Sequence, residues 1–572
     1  MVKFVIFDSS RLQLTPMTQI RFSVFLAYCL IFSANLTAQP LKPVTLDDIW
    51  GRTAGVFSQR TVQGVNWMKS GGQYTTQTDG RIVQYSITTG LPTDTLFDQR
   101  TAKVAGSGQT IALGGYALSA DERKLLITTD EEPIYRRSSR AAFYVYDLAN
   151  GQLKPLSSKG KQQYATFSPD GKRVAFVRDN NLFVSDLLST KEIQLTTDGK
   201  RNVIINGAAD WVYEEEFSMA RAFEWSPDSK RLAWIRFDES RVPEYNMQTW
   251  GKLYPADYRY KYPKAGEANS TVSVLIADVL TGKKVLAQTG TETDIYLPRI
   301  AWTPAVGNAQ SLLSIRKLNR LQNRMDLLHV NANTGQANTV LTETSPTYVD
   351  LEFTDDLTYL TDGKAFIWTS ERDGFKHVYL YDMAGKLIRQ ITKGAFEVSN
   401  LLGVDEKTQT AYYLSTEDSP LERQLYSVNL DGSGKRKLTD KSGTYTVNFS
   451  PDFQYFLTYH TAATQPQTVA LRQTTDNREV RVLETNDALK KRLAGYAIAP
   501  KQFMTVPIPT DDPSGEKLNG WLIKPLSAVN RFALRLRVQP LDVTAPLASR
   551  IPAQELGEDL GGTLRLIQPG KM

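Results

Sequence analysis

One short turn recurs along this chain and limits what it can become. Phe167-Ser168-Pro169-Asp170-Gly171-Lys172-Arg173 is repeated in kind as Trp225-Ser226-Pro227-Asp228-Ser229-Lys230-Arg231 and as Phe449-Ser450-Pro451-Asp452-Phe453. Each copy runs into a strand-like stretch, Val174-Ala175-Phe176, Leu232-Ala233-Trp234 and Tyr455-Phe456-Leu457. A Pro-Asp-Gly turn between stretches with alternating apolar residues predicts a hairpin with one buried face. A second strand type ends in Tyr-Asp or its equivalent and is followed by a Gly turn. Examples are Phe143 to Leu148 with Gly151, Val378 to Asp382 with Gly385, and Leu425 to Leu430 with Gly432-Ser433-Gly434. Four strands per unit, repeating about every 40 to 60 residues, describe a propeller blade. Candidate units begin near residues 63, 116, 164, 222, 300, 365, 401 and 446. The predicted fold class is therefore all-β, an eight-bladed β-propeller. A repeat array also explains how 572 residues of uniform texture avoid needing one oversized core.

The N-terminus has a different character. Arg21 precedes an apolar run from Phe22 to Phe32, and the small-residue stretch ending at Ala38 precedes Gln39-Pro40. This pattern predicts an export signal over residues 1–38, too short in its apolar part for the roughly 20 residues of a membrane span. The expected location is exported, periplasmic or secreted, with no membrane span after cleavage. Cys29, the single cysteine of the sequence, lies inside that run. The exported chain would have no disulfide, thiolate metal site or cysteine nucleophile. The 67 basic and 61 acidic residues are intermixed, so no nucleic-acid footprint is expected. His329, His377 and His460 each lie in or beside apolar strand patterns without a metal-ligand spacing. They are assigned to core or edge positions, and no metal or cofactor is expected.

One stretch does not suit a strand repeat: Asp210-Trp211-Val212-Tyr213-Glu214-Glu215-Glu216-Phe217. Adjacent carboxylates raise each other's cost of ionisation, and a bound cation relieves it. A solvated acidic turn, or a first helical turn favoured by the helix dipole, is the plainer alternative.

This stretch resembles the glutamate motif of the dipeptidyl peptidase IV branch of the prolyl oligopeptidase family of serine peptidases. Companion matches follow in the family's order: Phe223-Glu224-Trp225-Ser226-Pro227, Arg236-Phe237-Asp238-Glu239, Tyr262-Pro263-Lys264-Ala265-Gly266-Glu267-Ala268-Asn269, and Trp368 to His377. The resemblance covers roughly residues 45 to 525. It implies an N-terminal eight-bladed propeller that caps an α/β-hydrolase domain. It also implies that Glu215 and Glu216 hold the free α-amino group of a peptide substrate, whereas Glu214 matches no ligand position. The family's carbonyl-binding arginine aligns with Arg136, and Arg137 and Arg140 lie close enough to compete for that register. An ammonium fixed at Glu215 and Glu216 acts as a ruler, so that only the bond two residues along meets a nucleophile. The implied reaction is release of N-terminal dipeptides, with Pro or Ala second by family analogy, and a homodimer is open by the same analogy.

The chemistry such a peptidase needs is not found in these residues. No G-x-S-x-G elbow occurs, and no histidine follows His460; no catalytic residue is assigned. Asn519-Gly520-Trp521-Leu522-Ile523-Lys524-Pro525 resembles the first hydrolase-domain strand, and the texture then changes abruptly at Leu526. The expected layout is a signal peptide over 1–38, a propeller over 39–495, a truncated start of an α/β-hydrolase domain over 496–525, and an anomalous tail over 526–572 that reads as out of frame. The sequence thus suggests a substrate-anchoring propeller from which hydrolysis is not expected. A protein-binding or scaffold propeller without enzymatic role is the alternative.

Overall fold

In the recurring turn, the serine and aspartate side chains replace missing backbone partners. Ser168 Oγ donates to Asp170 Oδ1 at 2.6 Å and accepts from Arg173 N–H at 3.0 Å. The same bonds form at Ser226, Asp228 and Arg231, and at Ser450, Asp452 and Tyr455. A fourth copy, Ser119 with Asp121 and Lys124, lacks the proline and is not evident from the Ser-Pro-Asp pattern. Each aspartate gives the turn, whose serine is buried while its tip is largely exposed, local hydrogen bonds that do not depend on the rest of the fold.

These turns recur in a computed structural model that describes residues 41–51, 55–307, 310–507, 517–524 and 536–537. The expected signal peptide, and all of the tail except the backbone of Leu536 and Arg537, lie outside the described residues. The chain divides into two compact units. The larger, from Arg60 to Thr485 with further segments after Gln502, contains eight antiparallel sheets, at 66–98, 115–155, 163–194, 204–286, 295–344, 357–390, 398–437 and 444–484. These are blades 1 to 8 of a β-propeller, and each holds its strands in chain order. The repeat-based starting points fall close to seven of them. Blade 4 begins earlier than expected because its first strand is split. Ile204–Asn206 pairs with one half of Arg231–Asp238, and Phe223–Trp225 pairs with the other. A three-residue strand leaves little trace in a hydrophobic pattern.

Apolar residues are buried between successive blades. Leu125 and Ile127 of blade 2 pack with Ile82 and Phe97 of blade 1, while Val177 and Leu182 of blade 3 pack with Trp234 of blade 4. Trp234 and Trp368 are fully buried, with their indole N–H groups donated to Asn206 Oδ1 (3.1 Å) and Glu343 Oε1 (3.0 Å). The ring closes by packing of blade 8 on blade 1. Leu457 and Leu471 meet Ile87, and Trp67 Nε1 donates to Asn448 Oδ1 at 3.0 Å. Blades must also approach closely at their outer turns. Gly385 has φ +86°, and a Cβ there would overlap the Val340 carbonyl of blade 5, so glycine is needed for both reasons.

All three histidines are buried within blades, as expected. His329 Nε2 is 2.8 Å from the Tyr359 hydroxyl, His377 bonds Thr392 Oγ1 and the Gly394 carbonyl, and His460 Nε2 faces the Ser442 carbonyl. A small sheet of Lys501–Pro507, Lys517–Ile523 and Leu536–Arg537 follows blade 8 in sequence.

The second unit joins the segment before the propeller to the segment after it. Its helices are Leu46–Trp50, with Thr45 and Asp48 forming a capping box, and Asp487–Leu493. Lys42 N–H donates to the Gly495 carbonyl at 2.9 Å, and Tyr496 OH donates to Asp48 Oδ1 at 3.1 Å.

Candidate functional site

The acidic stretch forms a helix, Trp211–Glu216, inserted between the two halves of blade 4's first strand. Six residues are too few to hold a helix by propensity alone, so its stability must come from its surroundings. Asp210 caps it, accepting Tyr213 N–H at 2.9 Å and, on its other oxygen, Ser270 Oγ–H at 2.6 Å. Burial pushes the Asp210 carboxyl above the ordinary carboxylate range, and these bonds oppose the shift. Tyr213 is 1% exposed and packs edge-on against Phe237 at 4.8 Å. Its hydroxyl accepts Leu297 N–H from blade 5 at 2.8 Å. The helix ends where Ser218 turns left-handed, φ 52°.

Consecutive helical residues differ in direction by about 100°, so the three glutamates face three environments. Glu214 points inward and is 1% exposed; its Oε1 accepts the backbone N–H groups of Arg137 (2.5 Å) and Ser138 (2.9 Å). The Glu215 side chain, 19% exposed, receives Arg136 Nε at 2.9 and 3.2 Å on its two oxygens. Glu216 is exposed, and among the described residues it has no hydrogen-bond or ion-pair partner. Glu215 and Glu216 are the last residues of the helix, where the dipole disfavours negative charge. The favourable-dipole explanation of these two carboxylates therefore does not hold.

Arg136 lies on the turn joining strands Lys124–Pro133 and Ser139–Asp147 of blade 2. That turn closes on itself through Ile134 N–H to the Ser138 carbonyl (2.8 Å) and Tyr135 N–H to Ser138 Oγ (3.1 Å). Of the three arginines in register, Arg136 reaches Glu215, whereas Arg140 pairs with Glu132 at 2.7 Å along the hairpin. Arg137 contributes its backbone to Glu214. Tyr164 of blade 3 is held well above its ordinary range by burial and by the Glu214 charge.

An element not anticipated from the sequence borders the site. Strands Glu244–Thr249 and Ala256–Lys261 form a separate hairpin, with Trp250, Leu253 and Tyr254 exposed near its tip. Its Tyr260 ring lies 5.9 Å from that of Tyr135, and Tyr262 beyond it lies 4.3 Å from Trp211. The alternation Tyr258, Tyr260, Tyr262 was the available signal. Beneath it Glu239, 5% exposed, is pushed up to about 7, first by burial and then by the Asp210 charge, with Lys261 opposing. On the other side, Ser218 Oγ donates to Glu352 Oε1 at 2.7 Å. Burial and the nearby charges of Asp350, Glu216 and Glu352 raise Tyr348.

No group of three or more His, Cys, Asp or Glu residues is arranged to hold a metal among the described residues. Nor is any helix among them long and apolar enough to cross a membrane.

Known proteins resemble this chain in sequence and in fold. Residues 119–467 match the family described as "Dipeptidyl peptidase IV (DPP IV) N-terminal region". The crystal structure of Porphyromonas gingivalis dipeptidyl peptidase 4 superposes with a TM-score of 0.78 at 40% identity, over 85% of this chain and 67% of that one. Dipeptidyl peptidase 4 of Trichophyton equinum is 28% identical over 474 residues, which cover 79% of this chain and 58% of the relative. Inactive dipeptidyl peptidase 10 of Rattus norvegicus is 26% identical over 505 residues, 84% of this chain and 61% of the relative. The chain thus spans about three fifths of the length of these curated relatives. With the matched region running from blade 2 into blade 8 and containing the whole Arg136–Glu216 constellation, the chain belongs to the family of the dipeptidyl peptidase IV N-terminal region.

Proposed function

We propose that Glu215, Glu216 and Arg136 anchor peptides by their free N-terminus, as the substrate-holding part of an exported serine-type dipeptidyl peptidase. The observation that carries this reading is a charge imbalance. Of two adjacent carboxylates at one helix end only Glu215 meets a guanidinium, so one negative charge is left over, on the exposed and unpaired Glu216. A peptide ammonium supplies one positive charge and three donors, enough for both glutamates. Arg136, with 71% of its side chain exposed, keeps donors free for a peptide carbonyl. An amine fixed at that point measures a constant distance along an extended peptide, which selects the bond after the second residue. Cleavage itself needs a nucleophile elbow that these 572 residues do not contain, so the role assigned to them is binding.

The test is calorimetric titration of the purified chain with a Gly-Pro-containing tripeptide and its N-acetylated form. The free amine is expected to bind at least about tenfold more tightly, the worth of one charged hydrogen-bonded contact. Equal affinity would favour a scaffold propeller. A chromogenic Gly-Pro substrate checks the second half of the proposal, since turnover by these residues alone would contradict it.

A further inference from the structure

We infer that Glu214 is a positioning residue, whose buried carboxylate holds the Arg136 turn of blade 2 in register with Glu215. The inference rests on the anchoring role proposed for Arg136 and Glu215, and it assigns a task to the one glutamate of the three that has no ligand role. Arg136 itself cannot set its own position. Its side chain is 71% exposed, and an exposed ion pair fixes little by itself. The turn that bears it projects from the end of a two-stranded hairpin.

Glu214 Oε1 gathers the N–H groups of the two residues immediately after Arg136, at 2.5 and 2.9 Å. Charge-assisted bonds to two successive amides fix the direction of the chain, which one bond would not do. The carboxylate is 1% exposed, so water does not compete for those amides. Because Glu214 and Glu215 are neighbours on one helix, the residue that holds the turn and the residue that meets its arginine move as one body. The distance between Arg136 and Glu215 is thereby set by backbone on both sides.

The experiment combines hydrogen–deuterium exchange of the peptide spanning residues 134–141 with the free-amine and acetylated tripeptide titration, on the full purified chain. In Glu214→Ala the turn is expected to exchange about tenfold faster, and the free-amine preference to fall about tenfold. Glu214→Gln keeps an acceptor without the charge and should lie between, with exchange faster by about threefold. Unchanged exchange, or faster exchange with an intact amine preference, would overturn the inference. If Glu214→Ala does not fold, Glu214→Gln carries the test, and wild-type exchange in that variant overturns it. A wild-type chain that binds both peptides equally overturns the anchoring reading instead, while exchange still decides whether Glu214 holds the turn.

Discussion

Arg136 Nε and the Glu215 carboxylate, 79 residues apart in sequence, meet at 2.9 and 3.2 Å where blade 2 and the blade 4 helix converge. Arg136 stays largely exposed and Glu215 largely covered. The pair therefore contributes little to stability, with a typical value below about 1 kcal/mol for exposed pairs. Arg136→Ala is expected to leave the urea midpoint nearly unchanged while weakening peptide binding roughly tenfold through the lost carbonyl contact. A large stability loss in the urea curve would show that the arginine is structural instead.

The two outer glutamates are expected to act together. Glu215→Gln and Glu216→Gln should each lower free-amine affinity by roughly ten- to a hundredfold, and the double variant should bind free and acetylated peptides alike. Calorimetric titration of the four chains in parallel measures this. An unchanged preference in Glu216→Gln would remove that residue from the site.

Tyr213→Phe tests what holds the helix. The substitution conserves the ring that packs on Phe237 but takes away the hydroxyl that accepts Leu297 N–H at 2.8 Å. A buried amide left without a partner costs about 1–3 kcal/mol. Chemical denaturation should show a loss of that size, and free-amine binding should weaken with it, since the glutamates share the helix.

Glu239 predicts a pH signature. Its folded pKa is about 7 against an ordinary value of 4.5, so the folded chain binds more protons than the unfolded chain between those values. Its contribution is fully present below pH 4.5 and is lost as pH rises through 7, on the order of 3 kcal/mol. His329, which burial lowers from 6.5 to about 4, acts in the opposite sense, since it favours the fold above 6.5 and ceases to as pH falls through 4. The difference between wild type and Glu239→Gln separates the two. Thermal unfolding should show the variant gaining relative stability between pH 4.5 and 7 and holding that gain at pH 8. A pH-independent difference would place the Glu239 pKa near its ordinary value.

The fold was largely legible because its unit is local. The bonds among Ser168, Asp170 and Arg173 lie within six residues, and Ser-Pro-Asp followed by an alternating strand writes them into the sequence wherever they recur. Legibility failed where the local signature thinned. The Ser119 turn has no proline, the Ile204–Asn206 strand has three residues, and the aromatic hairpin at 244–261 is mostly exposed, with Glu244–Thr249 exposed along its whole length. The joining of the segments around Lys42 and Tyr496 was likewise unreadable, since it depends on residues more than 450 positions apart.

At the site, the sequence by itself determined that three successive carboxylates follow Asp210 and its aromatic neighbours, in a stretch that resembles the glutamate motif of a peptidase family. It could not determine their separate tasks, because composition is blind to the angle at which a residue leaves a helix. The tertiary structure decided that Glu214 faces the amides of Arg137 and Ser138, that Glu215 faces Arg136, and that Glu216 faces solvent. It also brought Arg136, rather than Arg137 or Arg140, to Glu215. The physical reason is the same throughout: turns are closed by neighbours along the chain, whereas this site is closed by packing between blades, and the side chains that meet there are neighbours only once the ring has formed.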